Sequence, residues 1–159
     1  MSVLSSQSIR RLCQNTNRPL ISPFVERGIA NGKSYGLSVC SYDCRIDHDL
    51  FLGPGQSALA NTIEHFALPD NVCGQVLDKS SYARRFVTAF NTHFDPGFMG
   101  WATIELVNLG DEMVVYKMGD ALCQFVFHWL DEPAEAPYSG KYQNQVRRPV
   151  EAIYENNIS

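Results

Sequence analysis

Short apolar runs divided by turn residues constrain this chain most. They fall at Val72 to Leu77, Phe86 to Phe90, Trp101 to Val107, Met113 to Tyr116 and Ala121 to Leu130. Earlier, Gly36 to Ile46 alternates, with Leu37, Val39 and Ser41 on one side and Cys40, Tyr42 and Cys44 on the other, which reads as a strand. Ala58 to Ala60 and Ile63 to Phe66 read as a short strand and its continuation, between the turns Leu52-Gly53-Pro54-Gly55-Gln56 and Leu68-Pro69-Asp70-Asn71. Ser5 or Ser6 can cap a short helix through Ile9 and Leu12, ending near Gln14 to Asn17. Two prolines then hold Arg18 to Pro23 extended. Many short strands with one or two brief helices predict an all-β fold, a distorted barrel or jelly roll.

With 159 residues and 45% hydrophobic content, a single domain over 1–159 with its own core is expected. Residues 146–159 read as a mobile tail. The net charge of -4 argues against a polymeric nucleic acid, whose footprint is a basic face. Cations cluster at 79 to 85 and 147 to 148, a local pattern that suits a small anionic ligand. No apolar window is long enough to cross a membrane, and the start of the chain lacks the pattern of a secretory signal, so a cytoplasmic protein is expected. Five scattered cysteines form no disulfide framework and suit a reducing compartment.

Two stretches carry the chemistry. Asp78-Lys79-Ser80-Ser81-Tyr82-Ala83-Arg84-Arg85 packs hydroxyls and cations directly after a strand. If Ser80 or Ser81 caps a helical turn, free N–H groups, Lys79 and Arg84 converge on one point that suits a phosphate chain. A solvated turn with an ordinary cap is the plainer reading. In the second stretch the turn Asp95-Pro96-Gly97 feeds a strand in which Trp101, Thr103, Glu105 and Val107 share one face. Glu105 is read as the one acid embedded in a strongly apolar strand. A carboxylate there must be partnered or have its pKa raised by desolvation, unless the strand lies at an edge and Glu105 faces water. Asp43 and Arg45, two residues apart, read as a structural ion pair or as a contact with a neighbouring subunit.

Other chemistries lack their parts. The His-x-Glu and Pro-Cys-x-x-Cys elements of zinc deaminases are missing. Cys40, Cys44 and His48 mimic a zinc spacing, but on a strand the two thiols would lie about 13 Å apart, so both read as small core residues. His48, His65, His93 and His128 have no serine or cysteine elbow near them and read as packing or surface residues. A site without a metal needs a carboxylate whose pKa lies near working pH to draw hydroxide from water, and Glu105 is the candidate.

The segments Ser41 to Arg45, Lys79 to Arg84, Asp95 to Leu106 and Pro137 to Gln145 together resemble, in order, the dCTP deaminases, the deaminating branch of the dUTPase superfamily. The resemblance implies a distorted β-barrel and metal-independent hydrolysis of dCTP to dUTP and ammonia, feeding dTTP supply. In it Glu105 activates water for attack on C4, Ser80 holds that water and Arg84 positions the base. Lys79, in place of an arginine, and Ser81 would contact phosphates, and Asp95 would receive the 3′-hydroxyl. Tyr138, Lys141 and Gln145 would form a flap over the triphosphate. The stretch from Arg84 to Asp95 is about two residues shorter than in some such enzymes, and either Asn91 or Thr92 would supply a backbone carbonyl to the water. Mg²⁺ would arrive chelated by a triphosphate of roughly four negative charges, with no ligand from protein side chains. A homotrimer with shared sites, and dTTP as an inhibitor, are also implied. The alternatives are a bifunctional dCTP deaminase and dUTP diphosphatase giving dUMP, a plain dUTPase, and a nucleotide sensor that keeps the fold without catalysis.

Overall fold

The computed structural model describes residues 2–14 and 16–155. In chain order the elements are β1 (Ser2–Val3), α1 (Ser6–Cys13), β2 (Ile21–Ser22), β3 (Gly28–Ala30), β4 (Lys33–Leu37), β5 (Tyr42–Arg45), β6 (Leu50–Leu52), β7 (Ser57–Ala67), β8 (Val72–Asp78), α2 (Ser80–Ala83), β9 (Val87–Ala89), β10 (His93–Phe94), β11 (Met99–Asn108), β12 (Val114–Tyr116) and β13 (Ala121–Trp129). The expected all-β fold with two short helices is what forms.

One sheet runs β10-β8-β13-β5-β4-β3, with β1 added at the end of β13. A second runs β2-β7-β11-β9, and β12 and β6 make a two-stranded ribbon. The sheets meet through aromatic side chains that alternation along each strand turns inward. Phe66 of β7 stacks on Phe125 of β13 at 4.3 Å between ring centroids, and Phe94, Phe98 and Phe127 close around them. This jelly-roll-like core fixes the two longest strands, β7 and β11, whose antiparallel register pairs Glu105 with Leu59.

Three sequence expectations need correction. The run from Gly36 to Ile46 is two strands, because the chain turns at 38–41, where the Ser38 N–H donates to the Ser41 carbonyl at 2.8 Å. Cys40 falls in that turn and is exposed, whereas Cys44 on β5 is buried as expected. Asp43 and Arg45 do not pair with each other: Asp43 takes Lys79, and Arg45 takes Glu64 at 2.8 Å. Alternation on β5 sends neighbouring odd residues to the same face, but each meets a different element. Thirdly, Ser5 stands at the start of α1 without a side-chain cap, and the helix ends at Cys13; Asn15, within the expected ending, lies outside the described residues.

Asp120, only 1% exposed, ties several elements together. Its carboxylate accepts from Asn31 Nδ2 at 2.6 Å, Lys33 Nζ at 3.0 Å, the Lys117 N–H at 3.0 Å and, at 3.5 Å, the hydroxyl of Tyr82 in α2. Burial alone would raise its pKa, but Asn31, the Lys117 amide and Lys33 together hold it below the ordinary aspartate value. A depressed folded-state pKa contributes stability that is present above the unfolded value and lost as pH falls through the folded one. Asp120→Asn is therefore expected to cost roughly 1–3 kcal/mol near neutral pH. Urea unfolding should show that gap closing in acid, and a gap independent of pH would show that the charge is unimportant.

Candidate active site

Glu105 lies in the middle of β11, which is flanked by β7 on one side and β9 on the other, so it is not on an edge strand. The even positions Ala102, Ile104, Leu106 and Asn108 face the core and are buried. A register shift between Trp101 and Thr103 interrupts the ladder there, and Thr103 and Glu105 turn to the opposite face. The Glu105 carboxylate is partnered: Thr92 Oγ1 donates to its Oε2 at 3.0 Å.

That face opens on a cavity of about 430 Å³. Glu105, Thr103 and Leu59 form its floor; Thr92, His93, Phe94, Asp95 and Phe98 form one wall. Tyr138, Tyr142, Gln145, Val150 and Ala152 form the other. The size suits a nucleoside, and an apolar lining with a few convergent polar groups is what a small-molecule site requires. His93 Nε2 stands 3.7 Å from Asp95 Oδ1.

Asp95 owes its place to a tight turn. The Phe98 N–H donates to the Asp95 carbonyl at 3.1 Å, and Gly97 takes φ +90°, the left-handed conformation that a turn with proline before it needs. A Cβ on Gly97 would meet Pro137 Cβ at 2.6 Å, so the turn also admits the C-terminal segment. That segment then runs beside β11: the Tyr138 N–H donates to the Pro96 carbonyl at 2.7 Å, the Asn144 N–H to Met99 at 2.7 Å, and the Trp101 N–H to the Gln145 carbonyl at 3.2 Å. At Gly100 (φ +147°) a side chain would strike the Gln145 backbone nitrogen at 2.6 Å. Further on, the Val150 N–H donates to Thr103 Oγ1 at 3.1 Å. Of the residues 146–159 expected to form a tail, Val150 and Ala152 line the cavity, and 156–159 lie outside the described residues.

The expected site residues divide into two groups. Glu105, Asp95, Thr92, Tyr138 and Gln145 line the cavity; Lys79, Ser80, Ser81, Arg84, Asn91 and Lys141 do not. The helical turn α2 begins with Lys79, not with Ser80 or Ser81, in the capping position, and no side chain caps it. The Lys79 ammonium is paired with Asp43 and lies 3.5 Å from Ser34 Oγ. Ser80, Ser81 and Arg84 point outward and are exposed. The Thr92 carbonyl already accepts the Val76 N–H at 3.0 Å. Between Phe90, bonded to the Glu105 carbonyl, and Thr92, Asn91 takes φ +46°.

The sequence also led to Glu105 as the single embedded acid, and the structure corrects that. Glu64 in β7 is fully buried and more enclosed than Glu105. It is committed, however: Oε1 accepts from Arg45 Nε and Oε2 from the Arg45 N–H, both at 2.8 Å. Glu105 differs in facing an open cavity with one oxygen free of such a clamp. His93, expected to be a packing or surface residue, lines the cavity beside Asp95, and Tyr142 and Val150, which also line it, carry no local signal.

Among solved structures the fold matches dUTPases. The EIAV dUTPase superposes with a TM-score of 0.57 at 16% identity, over 76% of this chain and 98% of that one. A D95N dUTPase from phage phi11 of S. aureus gives 0.54 at 16% identity, over 64% and 84%. At such identities they establish a dUTPase-like fold and nothing narrower.

Sequence relatives narrow it. Residues 45–130 match the family described as dCTP deaminase-like. A dCTP deaminase of Campylobacter concisus is 33% identical across 91% of this chain and 95% of its own, and one from Pyrococcus horikoshii is 33% identical across 80% and 86%. A "dCTP deaminase, dUMP-forming" of Methanosphaera stadtmanae is 33% identical across 87% and 71%. This chain belongs to the dCTP deaminase-like family.

Proposed function

We propose that the protein hydrolyses dCTP to dUTP and ammonia. The observation that carries this is Glu105 on the floor of a nucleoside-sized cavity, its carboxylate oriented by Thr92, with Asp95 on the adjacent wall. In this reading Glu105 takes a proton from water as the oxygen bonds to C4 of cytosine, and passes it to N3. It then takes the proton of the new C4 hydroxyl and gives it to the amino group as the C4–N bond breaks, so that ammonia leaves and a C4 carbonyl remains. Asp95 accepts the deoxyribose 3′-hydroxyl, and Tyr138, Gln145 and Lys141 meet the triphosphate from the C-terminal segment. Since the Thr92 carbonyl is used within the fold, Asn91 supplies the carbonyl that holds the attacking water.

The cavity wall carries two carboxylates and no lysine or arginine among the described residues, which would repel a triphosphate. The exposed α2, with Ser80, Ser81 and Arg84, supplies what is lacking if it comes from a second copy, as in a trimer with shared sites. Phe86, Leu109 and Met113, exposed beyond α2, suit such a contact. Lys79 serves as the anchor that fixes α2 against β5 rather than as a phosphate ligand. Mg²⁺ would arrive as cargo of the nucleotide, chelated by its phosphates. No helix among the described residues is long and apolar enough to cross a membrane. In this reading the enzyme works in the cytoplasm and dTTP acts as an inhibitor at the same site.

The dUMP-forming relative favours a second reading, in which the product dUTP is cleaved further, with Asp95 activating water at the α-phosphate. Incubation with dCTP and Mg²⁺ followed by chromatography separates the two. Equimolar ammonia and dUTP are the expected products; dUMP and pyrophosphate would establish the bifunctional reading, and unconsumed dCTP would refute both.

A further inference from the structure

We infer that Thr92 is a positioning residue for the reaction, acting through its hydroxyl on the Glu105 carboxylate. The inference rests on the deaminase reading above. Thr92 Oγ1 donates to Glu105 Oε2 at 3.0 Å, and both side chains line the cavity. The backbone beneath the hydroxyl is clamped on both sides. The Phe90 N–H bonds the Glu105 carbonyl at 3.2 Å, the Val76 N–H bonds the Thr92 carbonyl at 3.0 Å, and His93 pairs with Gln75 of β8. The hydroxyl therefore hangs from a segment tied to β11 and β8 at once, and a β-branched side chain has few ways to turn.

Glutamate itself is not rigid. Its long side chain has rotamers to lose, and a catalytic base that swings spends part of its time out of reach. With Oε2 held by Thr92, Oε1 is the oxygen left to take the proton from water. A side chain that merely filled space at this exposed position would not need a donor aimed at the carboxylate.

The test is steady-state ammonia release from dCTP by the wild type, Thr92→Val and Thr92→Ser, with Thr92→Ala as a second donor-free variant should Thr92→Val fold poorly. Valine keeps the branch and removes the donor; serine keeps the donor. The expected result is a kcat about tenfold to a hundredfold lower in Thr92→Val, the range for losing one hydrogen bond to a charged group, with KM within about twofold of wild type. Thr92→Ser should recover most of the rate. The inference is overturned by an unchanged kcat in the donor-free variants, by a loss confined to KM, or by a serine variant as slow as the valine one. A wild-type chain that releases no ammonia would overturn the deaminase reading as well, so the two failures are told apart by the wild-type rate.

Discussion

Glu105→Gln is expected to lower dCTP turnover by about a thousandfold or more while leaving nucleotide affinity within a few-fold of wild type. The substitution keeps shape and an acceptor for the Thr92 hydroxyl, but an amide cannot take a proton from water. General bases contribute on the order of 10²–10⁴ to a rate, and under the proposed mechanism the same group also returns protons to the base and the leaving ammonia. Binding should persist because, under the proposed function, the contacts to sugar and phosphates come from Asp95, the C-terminal segment and α2 rather than from Glu105. Ammonia release under single-turnover conditions, beside calorimetric titration with dUTP and Mg²⁺, measures both quantities. Turnover within tenfold of wild type would remove Glu105 from its role. Glu64 offers no rival, since both its oxygens are engaged by Arg45 and it does not line the cavity.

The sheet was legible where local pattern and tertiary demand agree. β8, β11 and β13 carry long apolar alternation and form close to the expected positions, as does α1. The β3–β4 hairpin was passed over although Asn31-Gly32 between two short runs is a strong turn signal, and both residues take positive φ, +48° and +75°. β1, β6 and β10 are short, and only partners distant in sequence make them strands. For the site, Glu105, Asp95, Tyr138 and Gln145 could be picked out by resemblance and do converge on one cavity. The pairing of Lys79, expected at the phosphates, with Asp43 could not be read, because it spans 36 positions in the chain and nothing local announces it. Glu64 was hidden for the same reason: its neighbours Ile63 and Phe66 hinted at burial, but only the fold brings Arg45 to it.

Arg45→Ala is expected to be the most destabilising of the substitutions considered, at about 3–5 kcal/mol near neutral pH, because it strands Glu64 as a buried carboxylate with one backbone N–H. In a chain of this length that corresponds to a melting temperature lower by roughly 10 °C. The Glu64 carboxyl has its pKa raised above the ordinary glutamate value by burial, which the Arg45 amide and guanidinium only partly oppose. A raised folded-state pKa means that the folded chain holds the proton longer than the unfolded one. Its contribution to stability is full below the ordinary value and is lost as pH rises through the raised one. Removing Arg45 raises the folded value further, so the gap between variant and wild type should be small in acid and widen toward neutral pH. Urea unfolding at about pH 5 and about pH 8 reads that difference. Replacing both partners, Arg45→Met with Glu64→Leu, should restore most of the loss, since well-packed apolar pairs substitute for buried ion pairs at little cost. A loss equal at both pH values would mean that Arg45 acts by packing its stem on Tyr35, whose ring lies 4.7 Å from the guanidinium, and not by its charge on Glu64.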